Sequence, residues 1–157
     1  MAIEIRRAEA GDVDALVELH REVHAVHLAE RPDQFRVTRD EEVAGVFRNR
    51  LSGANTKVWV AVLDGQAVGH VVVIHHQRAE HPMVPARQWW DVDELVVTSA
   101  HRRSGIARAL LQTVVDASNA AGVREIELNS WAFNHTAHAA FESFGFTPKV
   151  VRFELKR

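Results

Sequence analysis

Ile3 and Ile5 alternate with Glu4 and Arg6, a period of two that predicts a short strand. From Val13 the period lengthens. Leu16, Leu19, Val23 and Val26 follow at the spacing of one helix face, with Asp12 as the predicted N-cap, and Arg31-Pro32-Asp33 breaks the pattern. A second, shorter helix is predicted over 40–51 and ends at Ser52-Gly53-Ala54-Asn55. Residues 57–63 and 66–76 read as strands joined by Asp64-Gly65, a strong hairpin dipeptide. Two prolines mark 77–87 as a loop, and 88–97 reads as the next strand. Ile106, Leu110, Val114 and Ala117 predict a helix over 104–121, which Gly122 stops. Residues 125–130 predict a strand. Asn134 then caps a short helix whose face is Ala137, Ala140, Phe141 and Phe144, ending before Gly145. Residues 149–155 alternate cleanly and predict a closing strand.

The predicted order is β-α-α-β-β-β-α-β-α-β, an α/β chain with a mixed sheet. The central hairpins and the later strand–helix–strand unit exclude a simple doubly wound order, and neither G-x-G-x-x-G nor G-x-x-x-x-G-K-[ST] occurs. A length of 157 residues, 46% hydrophobic and 25% charged, predicts one domain over 1–157. The net charge of -2 argues against a dedicated nucleic-acid binder. No apolar run approaches a membrane span, and the first residues lack an apolar signal core, so the expectation is a cytoplasmic protein with no membrane partner. There is no cysteine, which removes disulfides, thiolate metal sites and a cysteine nucleophile. There is also no tyrosine.

The most informative segment is Val96-Val97-Thr98-Ser99-Ala100-His101-Arg102-Arg103-Ser104-Gly105-Ile106-Ala107-Arg108. A strand ends, a polar loop turns, and a helix starts with small residues that let backbone approach a ligand. Unpaired N–H groups and the helix dipole make such a start an anion site, which Arg102, Arg103 and Arg108 reinforce.

Arg102-x-x-Gly105-x-Ala107 resembles the [R/Q]-x-x-G-x-[G/A] signature of the GNAT N-acetyltransferase superfamily. Asn134-x-x-Ala137 with Phe141-Glu142-x-Phe144-Gly145-Phe146 resembles its second motif, N-x-x-A-x-x-x-Y-E-x-x-G-F. The order of elements is also similar, so the resemblance covers nearly the whole chain. It implies a mostly antiparallel sheet, and acetyl-CoA as cosubstrate. Backbone amides of Arg103, Ser104, Gly105, Ile106, Ala107 and Arg108 would hold its pyrophosphate, with Arg102 beside them. Leu95, Val96 and Val97 would pair with the pantetheine arm like an added strand, and Asn134 and Phe141 of the second motif would line the cofactor. The thioester would lie where the strands ending at Val97 and Ser130 splay apart. Family members are often dimers, so a homodimer is among the expectations.

Transfer to an amine needs a neutral nucleophile. A lysine-like amine is neutral in roughly one molecule per thousand at pH 7, so a base helps greatly. Asp93 and Glu94 stand just upstream of the predicted pantetheine strand, where family members often carry an acidic pair. Glu94 is the expected base, directly or through water, with Asp93 second. Strand alternation puts the two on opposite faces, so only one can enter the cleft. The family's usual general acid, a tyrosine, is replaced by Phe141. A thiol of pKa about 8.5 still leaves as thiolate, so the loss should slow the reaction without abolishing it. Ribosomal-protein N-terminal acetyltransferases carry a Glu where this chain has Asn129, which argues against that branch's base.

His20, His24 and His27 lie at i, i+4 and i+7 on one helix face. The resemblance implies that the first two helices line the acceptor entrance, so the first reading is a wall of the acceptor pocket, ahead of solvated surface and of a metal site; no HExxH occurs, and no metal is expected. Trp89, Trp90 and Trp131 read as core or pocket wall. The resulting expectation is acetyl transfer from acetyl-CoA to a primary amine of a small molecule or peptide, by direct attack in a ternary complex. The alternative is a non-catalytic acyl-CoA-binding or sensing module of the same fold, motivated by the missing tyrosine.

Overall fold

The continuous apolar runs at 58–63 and 71–74 put apolar side chains on both faces of their strands, so the sheet they form must be covered on both sides. The computed structural model, which describes residues 2–157, shows how this is done. Five strands lie in the order β1-β2-β3-β4-β5: β1 (Glu4–Arg7), β2 (Thr56–Leu63), β3 (Gln66–Arg78), β4 (Arg87–Val97) and β5 (Ile126–Leu128). The first four pair antiparallel, and β5 joins β4 in parallel. Asp64 and Gly65 both take positive φ, the backbone of a two-residue hairpin turn.

One face packs on α1 (Val13–Glu30) and α2 (Asp40–Ser52), where Val58, Val60 and Val72 meet Leu16, Val17, Val43 and Phe47. The other face carries Trp59, Val71, Val73, Trp90 and Val92 under α3 (Ile106–Ala120), which contributes Ile106, Leu110 and Val114. A short α4 (His135–Phe144) follows, and the Asn134 side chain accepts from the Ala137 N–H at 3.2 Å. Gly69 sets how closely α3 approaches. A Cβ there would stand 2.8 Å from the Val96 carbonyl oxygen and 3.3 Å from Ile106 Cγ2. Gly69→Ala is therefore expected to destabilise by about 1–3 kcal/mol, read in a denaturant titration. An unchanged midpoint would show that strand and helix yield freely at this point.

Two local expectations are corrected. Asp12 does not cap α1 with its side chain. Its carboxylate accepts two hydrogen bonds from Arg6, at 2.8 and 2.9 Å, and one from the Glu9 N–H, and a 3₁₀ turn (Ala10–Asp12) precedes the helix. A nearby guanidinium competes successfully for a carboxylate that a cap would otherwise use. The alternating segment 149–155 is not a strand either. It is exposed, and among the described residues no backbone hydrogen bond involves residues 147–157. Alternation supplies faces but not a partner, and a strand needs a ladder.

Candidate active site

The functional side of the sheet is organised by an irregularity in β4. Val72 pairs with Glu94 and Val73 pairs with Val92, so Asp93 is an extra residue in the ladder. Such a bulge re-aims the side chains around it. The expected alternation between Asp93 and Glu94 is thereby cancelled. Both carboxylates reach the same Arg50, which donates from Nη2 to Asp93 and from Nη1 to Glu94, each at 2.8 Å.

Glu94 is the centre of a buried ionic cluster. His20 Nδ1 lies 2.7 Å from Oε1, Arg50 binds Oε2, and His70 Nε2 approaches Oε1 at 3.3 Å. Its side chain is 10% exposed and His70 is fully buried. Burial alone would push the Glu94 pKa up. The hydrogen bond from His20 and the contact with His70 outweigh it and hold the carboxyl far below the usual range. Glu94 is thus a firmly ionised acceptor. With Nδ1 directed at Glu94, the second ring nitrogen of His20 has no hydrogen-bond partner among the described residues. His20 and His24 line a cleft between α1 and α2 with Val17, Arg21, Leu28 and Val43.

The histidine stripe continues into an aromatic wall. His24 stacks on His20, His27 stacks on Phe35, and beyond β5 Trp131 meets Phe35 and Phe133 meets His27 edge-on. Desolvation, then the neighbouring His24, lowers the His27 pKa and favours its neutral form. Asp91, also on β4, is half-buried, and burial followed by the Asp93 charge raises its pKa.

At the far end of β4 the sheet opens. β5 pairs with β4 only from Trp90 to Val92, which leaves Leu95, Val96 and Val97 unpaired on that edge. A 3₁₀ turn (Ser99–His101) follows, and Arg103 and Gly105 both adopt positive φ, of 60° and 83°. Alternating handedness of this kind turns successive N–H groups into one concavity. The first helical bond is donated by Ala109 to Gly105, so the backbone N–H groups from Arg102 to Arg108 have no protein acceptor among the described residues. Nothing lies within 4 Å of where a Gly105 Cβ would stand, so the concavity is open. Glu22 of α1 fixes the loop, accepting from Thr98 Oγ1 at 2.8 Å and from the Ser99 N–H at 3.0 Å, and these bonds lower its pKa.

The structure therefore gathers Leu95, Val96, Val97 and the turn from Arg102 to Arg108 around one opening. Asp93 and Glu94 lie just upstream on the same strand. The carbonyl oxygen of Asn134 is occupied in capping α4, and Phe141 packs among apolar residues beside Phe146. Arg108 lies over the Phe144 ring, 5.4 Å from its centroid. Sequence reasoning missed Arg50, His70, Asp91 and Glu22. His70 sits inside an apolar strand and Arg50 near the end of a helix, and nothing in periodicity marks either. His20 was singled out, but as pocket wall.

The model of the Acetyltransferase (GNAT) family matches residues 16–146. N-acetyltransferase family 8 member 3 of Mus musculus is 29% identical over 105 residues, which are 67% of this chain and 45% of that protein. N-acetyltransferase 8 of Homo sapiens is 28% identical over 121 residues, 76% of this chain and 52% of that protein. The chain thus spans about half the length of the curated relatives it matches. The crystal structure of a tetramutant of the BH1408 protein from Bacillus halodurans is similar at a TM-score of 0.94 and 26% identity, over 98% of this chain and 99% of that one. The aminoglycoside N-acetyltransferase AAC(6')-Iy in complex with CoA shares the fold, with a TM-score of 0.80 at 17% identity, over 99% of this chain and 95% of that one. With its fold and a family match over most of its length, the chain belongs to the GNAT acetyltransferase family.

Proposed function

We propose that the chain is an acetyl-CoA-dependent N-acetyltransferase that acetylates a primary amine by direct attack in a ternary complex. The observation that carries this reading is the run of unpaired N–H groups from Arg102 to Arg108 beside the open edge of β4. That concavity suits a pyrophosphate, and the edge suits an arm carrying amide groups. Acetyl-CoA bound there supplies an activated acyl group. The role of the chain is to align the acceptor and take its proton.

His20 is the group placed for the proton. The two carboxylates first considered as bases are held by Arg50, and Glu94 is held by His20 as well. A carboxylate so stabilised is a weak base, but a strong orienter of an imidazole. Glu94 accepts from His20 Nδ1–H, fixing the tautomer whose Nε2 lone pair is free. Nε2 receives the proton of the attacking amine, and the resulting imidazolium is stabilised by Glu94. Phe141 offers no hydroxyl, so the sulfur leaves as thiolate.

Asp91 and Asp93 along the same strand, with the aromatic wall above, favour a cationic acceptor on a small molecule or peptide. The test is thiol release from acetyl-CoA in the presence of primary amines. The chain has no cysteine, so the protein itself contributes no thiol to the signal, and the rate without protein is subtracted. The expected result is amine-dependent release, faster with polycationic than with neutral amines. Tight acetyl-CoA binding with no release for any amine would instead favour the sensing module, the reading that Phe141 supports.

A further inference from the structure

α1 meets β4 and the turn beyond it at two points. His20 reaches Glu94 at 2.7 Å, inside the ladder of β4. Glu22 reaches the turn, accepting from Thr98 Oγ1 at 2.8 Å and from the Ser99 N–H at 3.0 Å. Among the described residues these are the only side-chain hydrogen bonds from α1 to β4 or to the turn that follows it. Glu94 and Thr98 bracket Leu95, Val96 and Val97, the unpaired edge suited to the cofactor arm. On the helix, His20 and Glu22 are two residues apart, which at 3.6 residues per turn sets them about 200° apart around the axis. They therefore hold opposite flanks of α1, and together they fix its roll on the sheet. The far anchor is firm. The Thr98 N–H donates to the Val68 carbonyl of β3 at 2.9 Å, and the Glu22 carboxylate supplies the cap that Thr98 does not give the 3₁₀ turn (Ser99–His101).

We propose that Glu22 is a positioning residue for acetyl transfer: by pinning α1 to Thr98 and Ser99 it sets the distance between His20 and the acyl group delivered along residues 95–97. The inference rests on the proposed transfer reaction with His20 as base. Glu22 acts through His20 and not on the reacting atoms. A displacement of about 1 Å at a reacting group costs about a hundredfold in rate, so releasing one flank of the helix has a large effect from outside the chemistry. Leu16 and Val17 keep α1 packed on the sheet with or without Glu22. The charge of Glu22 separates positioning from mere support of the turn. Arg102 is near enough for its charge to stabilise the Glu22 carboxylate, so Glu22 is an anion beside a concavity suited to an anion. Removing it makes that concavity more positive, and acetyl-CoA should bind no worse.

Steady-state kinetics of thiol release test it. Glu22→Ala is expected to lower kcat about ten- to a hundredfold, with no rise in the KM for acetyl-CoA. Glu22→Gln keeps the link, since its amide oxygen accepts from Ser99 and its NH2 donates to Thr98 Oγ1, and it is expected to recover most of the lost rate. Thr98→Val removes one of the two bonds and is expected to fall between wild type and Glu22→Ala. In the Glu22→Ala background, Thr98→Val should cost at most about twofold more, and so should Glu22→Ala in the His20→Ala background. Thermal unfolding with and without acetyl-CoA shows for each variant that the fold and the cofactor site are intact. An unchanged kcat in Glu22→Ala overturns the proposal, as does a loss expressed as a higher KM for acetyl-CoA. A Glu22→Gln as slow as Glu22→Ala overturns it too, and so does a full loss that persists when His20 is already absent. A wild type that binds acetyl-CoA but releases no thiol with any amine overturns the transfer reading itself, and this inference with it.

Discussion

His20→Ala is expected to lower turnover by about a hundred- to ten-thousand-fold, the usual worth of a positioned general base. The KM for acetyl-CoA should be nearly unchanged, because the cradle at Arg102 to Arg108 lies on other elements. The effect belongs in kcat and in the acceptor term. The pH–rate profile should lose the limb that deprotonation of the base contributes, and the variant should regain part of its rate with added imidazole. The other titratable groups facing the site are His24 and His27 on α1, His70 on β3, and Asp91 and Asp93 on β4, beside the fixed charges of Arg50 and Glu94. None combines a free nitrogen lone pair with a carboxylate on the opposite side of its ring as His20 does. Steady-state kinetics across pH check the prediction. An unaltered profile in His20→Ala would remove His20 from the chemistry.

Glu94→Ala is expected to destabilise the fold by about 3–5 kcal/mol, because breaking a buried ionic cluster leaves its other members unpaired. Arg50 would lose one of its two carboxylates, His20 its hydrogen bond, and His70, which has no hydrogen-bond partner among the described residues, its only close anion. In a chain of this size the loss corresponds to a fall in Tm of about 6–20 °C. Glu94→Gln preserves the shape and should cost less stability while still lowering kcat, since an amide can leave His20 in the wrong tautomer. The pH dependence has a definite sign. The folded-state pKa of Glu94 lies below its unfolded value, so its contribution is present above the ordinary carboxyl value of about 4.3 and is lost as the pH falls below it. Acid unfolding of Glu94→Ala should accordingly be flatter than that of the wild type. Calorimetric scans across pH decide it, and equal Tm values for Glu94→Ala and wild type would show that the cluster holds nothing together.

How far the molecule could be read from sequence depended on the range of the interaction. The helix faces at Leu16 and at Ile106, Leu110 and Val114, the Asp64-Gly65 turn and the Asn134 cap are local, and each was legible. The turn at Arg102 to Arg108 stood out as a strand-to-helix junction with small and basic residues, but its open concavity, with positive φ at Arg103 and Gly105, shows only in the structure. The bulge was not legible. One unpaired residue at Asp93 reverses the facing of everything before it relative to Glu94, and only the pairing with β3 shows where it falls. The cluster was invisible for a different reason: His20 and Glu94 are 74 positions apart, and Arg50 and Glu94 are 44 apart. Segment 149–155 shows the converse error. Its alternation is genuine, but among the described residues no strand pairs with it.

The central claim is that the turn from Arg102 to Arg108 receives the pyrophosphate of acetyl-CoA. Thermal unfolding with and without acetyl-CoA, with CoA and NAD as comparisons, tests it most directly. A ligand at about a hundred times its dissociation constant adds about 2.7 kcal/mol to the folded state. A clear upward shift with acetyl-CoA and CoA and none with NAD is the predicted result. The shift should be lost in Gly105→Val, which places a β-branched side chain at a positive φ of 83°. No shift with either CoA form at saturation would contradict the account and leave only the fold.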